Sequence, residues 1–448
     1  MKSPLLKISL YASLGALIIG ALAVSFAVKP HFVFREQPVI KVGVLHSLTG
    51  TMAISERSVV DATLLALEEV NQRGGVIGMK IEPVVADGKS DPEVFEQEAE
   101  RLITKEHVKV IFGCWTSASR KAVKSVVEKY NSLLFYPVQY EGLECSPNIV
   151  YMGAAPNQQL IPAVTWACRH LGKRFFLVGS DYVFPRVANE IAKDVLGYIG
   201  GEVVGEKYML LGSRDFTEIA KQIKETQPDV VLNTINGDSN LAFFAALREA
   251  AINSNKTKII SLSITENEIK EFREQFKKSN PQKDQDIIKE YLAGTYACWN
   301  YFETLDNPIN AQFIRKIRSK YGQEYRVTDP MEAAYIGVYL WSRAIDDPSD
   351  FRNPKYVLDT LYHLSTPAPE GIITVARNNH ARKNVRIAKV NTAGEFEVVW
   401  ALKNPVEPEP YPYFRDRGYW NNLLEGLFRQ WHGHWSAGMK PAITEEAK

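Results

Sequence analysis

Two hydrophobic periods alternate along this chain. Val39 to Leu45 is an almost continuous apolar run of strand length. Val59, Ala62, Leu65, Ala66 and Val70 then recur at helical spacing until Gly74-Gly75. Strands follow at Ile81 to Val85, Val108 to Phe112 and Leu133 to Tyr136, separated by helices at Glu93 to Ile103 and Arg120 to Tyr130. The alternation restarts with a helix at Leu160 to His170 and strands at Phe175 to Val178, Val203 to Tyr208, Val230 to Thr234 and Ile259 to Leu262. Helices at Val187 to Ile199, Phe216 to Glu225 and Leu241 to Ala250 lie between these strands. Such alternation predicts an α/β fold of parallel sheets covered on both faces. Two successive runs predict two lobes rather than one wide sheet. Helices dominate Asn307 to Tyr362, and short strands return at Ile372 to Val375, Val385 to Val390 and Glu395 to Trp400. A chain that returns in this way predicts several crossings between lobes.

The N-terminus departs from this pattern. Lys2 and Lys7 precede an apolar stretch from Ile8 to Val28, long enough to span a bilayer. Cleavage as a signal, after Ala23 or Ala27, is compatible with the sequence. An uncleaved anchor at 8–28, tied to the inner membrane with the remaining chain outside the cytoplasm, is the reading we favour. The 448 residues as a whole are 45% hydrophobic and 23% charged, which is ordinary globular composition. A net charge of +1 argues against a nucleic-acid partner. Cys114, Cys145, Cys168 and Cys298 are widely spaced, which disfavours a zinc or thioredoxin-like motif and leaves disulfides or buried thiols open.

Catalytic signatures are missing. The chain has no G-x-S-x-G elbow, no Walker loop and no G-x-G-x-x-G fingerprint. His432 and His434 are close in sequence but sit in an aromatic tail, and we expect no metal and no cofactor. Glu68-Glu69 reads as a solvated helix face. In open parallel sheets ligands bind beyond the carboxyl ends of the strands. The loops at those positions (47–55, 113–119, 136–142, 179–186 and 234–240) are rich in Ser, Thr, Tyr, Trp and Asn, a lining suited to a small neutral polar ligand.

Several of these loops carry long motifs. They are GVLHSLTGTMA at 43–53, GCWTS at 113–117, LFYPVQYEG at 134–142, AAPNQQ at 154–159, GSDYVFPR at 179–186, TINGDSN at 234–240, WNYF at 299–302 and DPMEA at 329–333. Together they resemble the urea-binding component of bacterial urea ABC transporters, within the leucine/isoleucine/valine-type periplasmic binding proteins. RNNH at 377–380 and VEPEPY at 406–411 look more like relatives that bind short-chain amides, including a regulator of amidase expression. The resemblance covers roughly Val39 to Pro412.

It implies a type I periplasmic binding protein: two Rossmann-like lobes joined by a three-strand hinge, with the ligand in the cleft. The expected division is 1–37 as anchor or signal and linker, 38–153 with 298–365 as lobe one, 154–297 with 366–412 as lobe two, and 413–448 as an aromatic tail. The resemblance further implies site residues. Trp115 and Tyr136 would wall the first lobe, and Ser117 would hydrogen-bond the ligand. Val138, Gln139, Tyr140 and Glu141 would supply backbone and side-chain contacts. Tyr182 and Asp238 would close from the second lobe, and Trp299 would cover the mouth. Each has a structural alternative: the tryptophans as core aromatics, Asp238 as a helix cap, Glu141 as an ion-pair partner.

The function so implied is capture of urea, or a close short-chain amide, for delivery to ABC permease subunits. A membrane-anchored sensor acting on a kinase shares the same cleft and is the alternative. No enzymatic activity is expected. In the tail, Tyr419, Trp420, Leu423, Leu424, Leu427, Phe428 and Trp431 share one helical face, suited to a membrane surface, a partner or its own lobe, the last being the one we favour.

Overall fold

Residues buried on both faces of a strand must be apolar throughout, and the central strands of the first sheet obey this rule. In the computed structural model, which describes residues 38–252, 257–279 and 286–439, five strands form a wholly parallel sheet. They are β1 (Val39–His46), β2 (Lys80–Asp87), β3 (Val110–Gly113), β4 (Leu133–Tyr136) and β5 (Ile149–Tyr151), in the order β2-β1-β3-β4-β5. Helices α1 (Ala53–Gln72), α2 (Pro92–Thr104) and α3 (Ser117–Lys129) connect them. Every residue of β3 and β4 is buried. Gly113 is required where β3 passes β1, because a methyl there would lie 2.1 Å from the Leu45 carbonyl oxygen.

A second sheet repeats the plan. Helix α4 (Leu160–His170) leads into β6 (Arg174–Ser180), α5 (Val183–Ile199), β7 (Glu202–Met209), α6 (Thr217–Thr226), β8 (Val230–Thr234), α7 (Ser239–Glu249), β9 (Lys258–Ser261), α8 (Glu266–Ser279), α9 (Asp286–Tyr291) and β10 (Tyr296–Trp299). Three further helices return to the first lobe: α10 (Pro308–Tyr321), α11 (Asp329–Arg343) and α12 (Pro354–Leu361). A hairpin of β11 (Ser365–Ala368) and β12 (Gly371–Thr374) follows, and then β13 (Arg386–Val390) and β14 (Phe396–Ala401) complete the second sheet. Its order is β14-β13-β10-β9-β8-β6-β7, with β13 antiparallel to both β10 and β14 and the other pairs parallel. The α/β fold with parallel-sheet lobes expected from the pattern is therefore the one observed.

The chain crosses between the lobes three times. It leaves the first core after Met152 and enters the second by Leu160; it returns between Trp299 and Tyr301, and leaves again between Ala381 and Val385. Two segments sit differently from the division drawn on the pattern. Cys298 and Trp299 belong to the second sheet, because β10 supplies the pairing edge between β9 and β13. Residues 366–381 line the first core through Ala368, Ile373, Val375 and Ala381.

Glu69 also departs from its sequence reading. It is buried rather than solvated, with Lys316 Nζ at 2.6 Å and the Tyr335 hydroxyl at 3.0 Å. The spacing along α1 was helical, but Lys316 of α10 and Tyr335 of α11 meet the carboxylate at this position. All four cysteines are free thiols, and Cys145 is the exposed one.

The tail forms α13 (Arg417–Gln430), capped by Asp416, whose carboxylate accepts from Tyr419 N at 2.8 Å. Trp420, Leu424, Leu427 and Trp431 join the second core. Tyr419 stays exposed and Leu423 is partly covered. The proposed anchor at 8–28 lies outside the described residues. Among the described residues, no helix is long and apolar enough to cross a membrane.

Candidate functional site

Each sheet ends its strands toward the other lobe, and the bonds between lobes come from residues just past those ends. After β1, the Thr51 hydroxyl donates to Asp238, which follows β8. After β3, Trp115 Nε1 donates to Asn236 Oδ1 at 3.3 Å. After β4, Gln139 Nε2 donates to the Leu262 carbonyl, beyond β9, at 2.9 Å. From α1, the Ser58 hydroxyl accepts from Asn267 Nδ2 at 2.6 Å. This is the geometry expected of a ligand cleft at the carboxyl edges of parallel sheets, seen here closed.

The first-lobe wall is organised by a residue that sequence reasoning passed over. Arg120 is fully buried in α3. It donates Nε to Glu144 and Nη2 to Glu141, both at 2.9 Å, and Nη1 to the Ser117 hydroxyl at 2.8 Å. Its guanidinium lies 5.0 Å from the Tyr136 ring centre and 4.4 Å from that of Tyr140. Burial opposes the charge on Arg120, but Glu144 and Glu141 hold it protonated. Burial likewise opposes ionisation of Glu144, yet Arg120 and Lys121 keep its carboxyl well below the ordinary range.

This network places the predicted residues. Ser117 donates to Glu141 and accepts from Arg120. Glu141 is thus an ion-pair partner within its own lobe. The Tyr136 hydroxyl donates to the Trp115 carbonyl at 2.6 Å and lies 3.2 Å from the Gln139 carbonyl, so it shapes the loop that carries Val138 and Gln139. Tyr140 stacks on Tyr151 at 5.0 Å and meets His380 through its hydroxyl. It holds the crossing rather than lining the cleft. Tyr182 projects from the second lobe: burial raises its hydroxyl well above the usual range, with Tyr136, Glu141 and Glu56 of the first lobe adding to the effect.

Asp238 precedes α7 but does not cap it; its carboxylate is held by Thr51 and by Arg214 at 3.0 Å. Trp299 lies away from the mouth. It is packed in a second-lobe core and donates Nε1 to the Ile264 carbonyl at 2.8 Å. A short strand ending in Trp is hard to tell from an exposed lid by sequence, because only the β9 and β13 partners bury it.

Two further groups face this region. His46 ends β1, fully buried, with Nδ1 2.9 Å from a Glu56 oxygen that also accepts from Ser47 N at 2.9 Å. His46 Nε2 has no hydrogen-bond partner, and neither does Gln139 Oε1. The available signal was a charged Glu56 on the apolar face of α1, which a buried partner alone makes tolerable.

The tail reaches the same region. Ser436 bridges Tyr182, Val183 N donates to the Trp435 carbonyl at 3.0 Å, and Ala437 N donates to the Asp181 carbonyl at 2.9 Å. On the other lobe, Lys121 lies 4.6 Å over the Trp435 ring, and His434 is 3.7 Å from Glu93. A cavity of about 210 Å³ beneath it is lined by Thr51, Thr116, Tyr182, Leu210 and Ser436. Among the described residues no cluster of His, Cys, Asp and Glu could hold a metal ion.

Residues 40–417 match the periplasmic binding protein domain. The chain belongs to that family. Family members bind solutes rather than transform them, and this chain is a binding protein rather than an enzyme. It is 22% identical over 366 residues to Leu/Ile/Val-binding protein homolog 6 of Brucella melitensis biotype 1, covering 80% of this chain and 89% of that protein. A shorter stretch of 120 residues is 35% identical to a limonene hydroxylase of Geobacillus stearothermophilus, spanning 27% of this chain and only 22% of that protein.

Solved periplasmic binding protein structures share the fold. The solute-binding protein of an R. palustris ABC transporter in complex with 4-hydroxybenzoate matches with a TM-score of 0.70 at 22% identity, over 82% of this chain and 97% of that one. The Streptococcus pneumoniae branched-chain amino acid substrate-binding protein in complex with isoleucine matches with a TM-score of 0.66 at 18% identity, over 83% and 100%. Helix α13 begins where the family match ends.

Proposed function

We propose that this periplasmic binding protein captures urea or a close short-chain amide outside the cytoplasm and delivers it to an ABC permease. The observation that carries the reading is the electrostatic state of the cleft. Among the described residues the buried cations are Arg120 and Lys383. Arg120 is matched by Glu141 and Glu144, and Lys383 by Glu370. A carboxylate ligand, such as the isoleucine and 4-hydroxybenzoate bound by the solved relatives, would find no unmatched buried cation, and burying it unpaired is costly. A neutral planar amide needs none. Hydrogen bonds and aromatic walls suffice, and Trp115, Tyr136, Gln139, Tyr182 and Asn236 are the groups of that kind at the strand ends. Closure over such a ligand gives specificity, since each buried polar group left unpaired costs about 1–3 kcal/mol.

Calorimetric titration of the full chain with urea, acetamide, leucine and 4-hydroxybenzoate tests this. Binding of urea or acetamide without binding of the two carboxylates is the expected result. Binding of leucine or 4-hydroxybenzoate in preference to both amides would overturn it.

A further inference from the structure

We infer that the hinge binds a proton among its buried carboxyls, and that this proton holds the two lobes closed. Three motifs that the cleft does not use meet there. AAPNQQ supplies Gln158 to the first crossing, WNYF supplies Asn300 to the second, and DPMEA places Asp329 and Glu332 in the first turn of α11. Asn300 ties the crossings together. Its Nδ2 donates to the Gln158 carbonyl at 3.0 Å and to the Asn384 carbonyl, on the third crossing, at 2.6 Å. Asp329 fixes Asn300 in turn, accepting from the backbone N–H groups of Asn300 at 3.0 Å and Tyr301 at 2.8 Å.

Charge surrounds this pin. Asp329 and Glu332 of α11 and Glu370 of the β11–β12 turn are buried on the first-lobe side. Lys383, on the third crossing, is buried with them; it meets Glu370 and lies 3.9 Å from Glu332. Arg386, which opens β13 of the second sheet, donates to the carbonyls of Asn300 and Glu370. The carboxyls thus stand on one side of the pivot and the cations on the crossing and the other lobe. Fully ionised, three carboxylates would face two cations, and a buried charge without a match is costly. The oxygens agree: Glu332 Oε2 and both Glu370 carboxyl oxygens have no hydrogen-bond partner. One proton in the cluster removes the excess charge and brings a donor to a group of acceptors.

The electrostatics place that proton on Glu332. Burial, then Glu370, raises its carboxyl from 4.5 to about 8, with Asp329 adding to the rise and Lys383 opposing it. Asp329, raised by burial from 3.8 to about 6, ionises earlier, and burial keeps the nearby Tyr301 hydroxyl neutral. Opening the lobes twists the three crossings that enclose the cluster and admits water, which returns Glu332 toward its ordinary value. The closed form therefore binds the proton more tightly than the open form. By linkage, closure has this support in full below about 4.5 and loses it as pH rises through about 8. Between those limits the closed-to-open ratio falls by up to about tenfold per pH unit. No solute enters this coupling, so it holds whatever the cleft binds.

The test is a pH series on the full unliganded chain, from about pH 6.5 to about 9.5, read by small-angle scattering and by the infrared C=O stretch of protonated carboxyls. The expected wild-type result is a radius of gyration that grows as pH rises through about 8, while a carboxyl band fades over the same range. Glu332→Gln, neutral at every pH, should lack that band and stay compact throughout. Glu266 also titrates near 8, but it is retained in the variant, so the difference spectrum isolates Glu332. Glu370→Gln removes the neighbouring charge and should move the opening to lower pH. A wild-type radius that does not change with pH, no Glu332 band at about pH 6.5, or the same opening in folded Glu332→Gln overturns the inference. If Glu332→Gln does not fold, Glu370→Gln decides the question: an unmoved midpoint overturns it.

Discussion

Replacing Arg120 by Met tests whether the cleft wall is held by one buried cation. Methionine roughly fills the space of the aliphatic stem and removes the guanidinium. Three hydrogen bonds are lost, to Glu144, Glu141 and Ser117, together with the contact to the Tyr140 ring at 4.4 Å. Breaking a buried pair by deleting one partner costs about 3–5 kcal/mol, because the remaining charge stays desolvated. The loss is not doubled by the second carboxylate, since Glu144 keeps Lys121 at 2.9 Å. Glu141 is the exposed liability of the mutant: its nearest remaining cation, Lys121, is 4.0 Å away. The expected destabilisation is therefore about 3–5 kcal/mol, measured by guanidinium chloride unfolding, because urea is the proposed ligand. Adding Glu141→Gln to Arg120→Met should restore about 2 kcal/mol, giving a large coupling energy in the double-mutant cycle. Arg120→Lys keeps the charge but not the fork and should remain destabilised. A loss under about 1 kcal/mol for Arg120→Met, or additive single effects, would refute the reasoning.

Other expectations follow from specific contacts. Burial, then the neighbouring Glu303, pushes the Glu266 carboxyl from 4.5 up to about 8. The folded chain holds a proton there that the unfolded chain releases, so this contribution is full below about 4.5 and lost as pH rises through about 8. Glu266→Gln should flatten that decline, by up to about 4 kcal/mol between pH 5 and 8, in unfolding measured across the range. His380 has the opposite sign: burial pushes it from 6.5 down to about 4, so its contribution is present above 6.5 and lost as pH falls through about 4. Gly153→Ala would place a methyl 2.1 Å from the Val138 carbonyl carbon, and calorimetry should show weakened ligand binding from the displaced 138–141 loop. Stopping the chain after His432 removes the Trp435 and Ala437 contacts that touch both lobes. Small-angle scattering should then show a more open unliganded chain, with ligand affinity lower by about a few-fold.

Hydrophobic period alone determined that this chain builds alternating strands and helices in two successive runs, because a strand buried on both faces and an amphipathic helix each leave a local signature. β1, β4, β8 and α4 have such signatures and sit where the pattern puts them. The family was legible for a related reason: its motifs fall in the loops at the strand ends. Elements whose burial depends on distant partners were not legible. The strands β5, β10 and β11 are three or four residues long and become strands only by pairing. The site followed the same division. Trp115, Gln139 and Tyr182 stand in loops that the motifs had already marked. Tertiary structure decided that Arg120 neutralises Glu141, that Trp299 lies in a core and that Asp238 reaches across to Thr51. It alone paired His46 with Glu56 and left one nitrogen free. Period and motif are properties of neighbouring residues, whereas the charge balance and open valences of a cleft depend on side chains that only folding brings together.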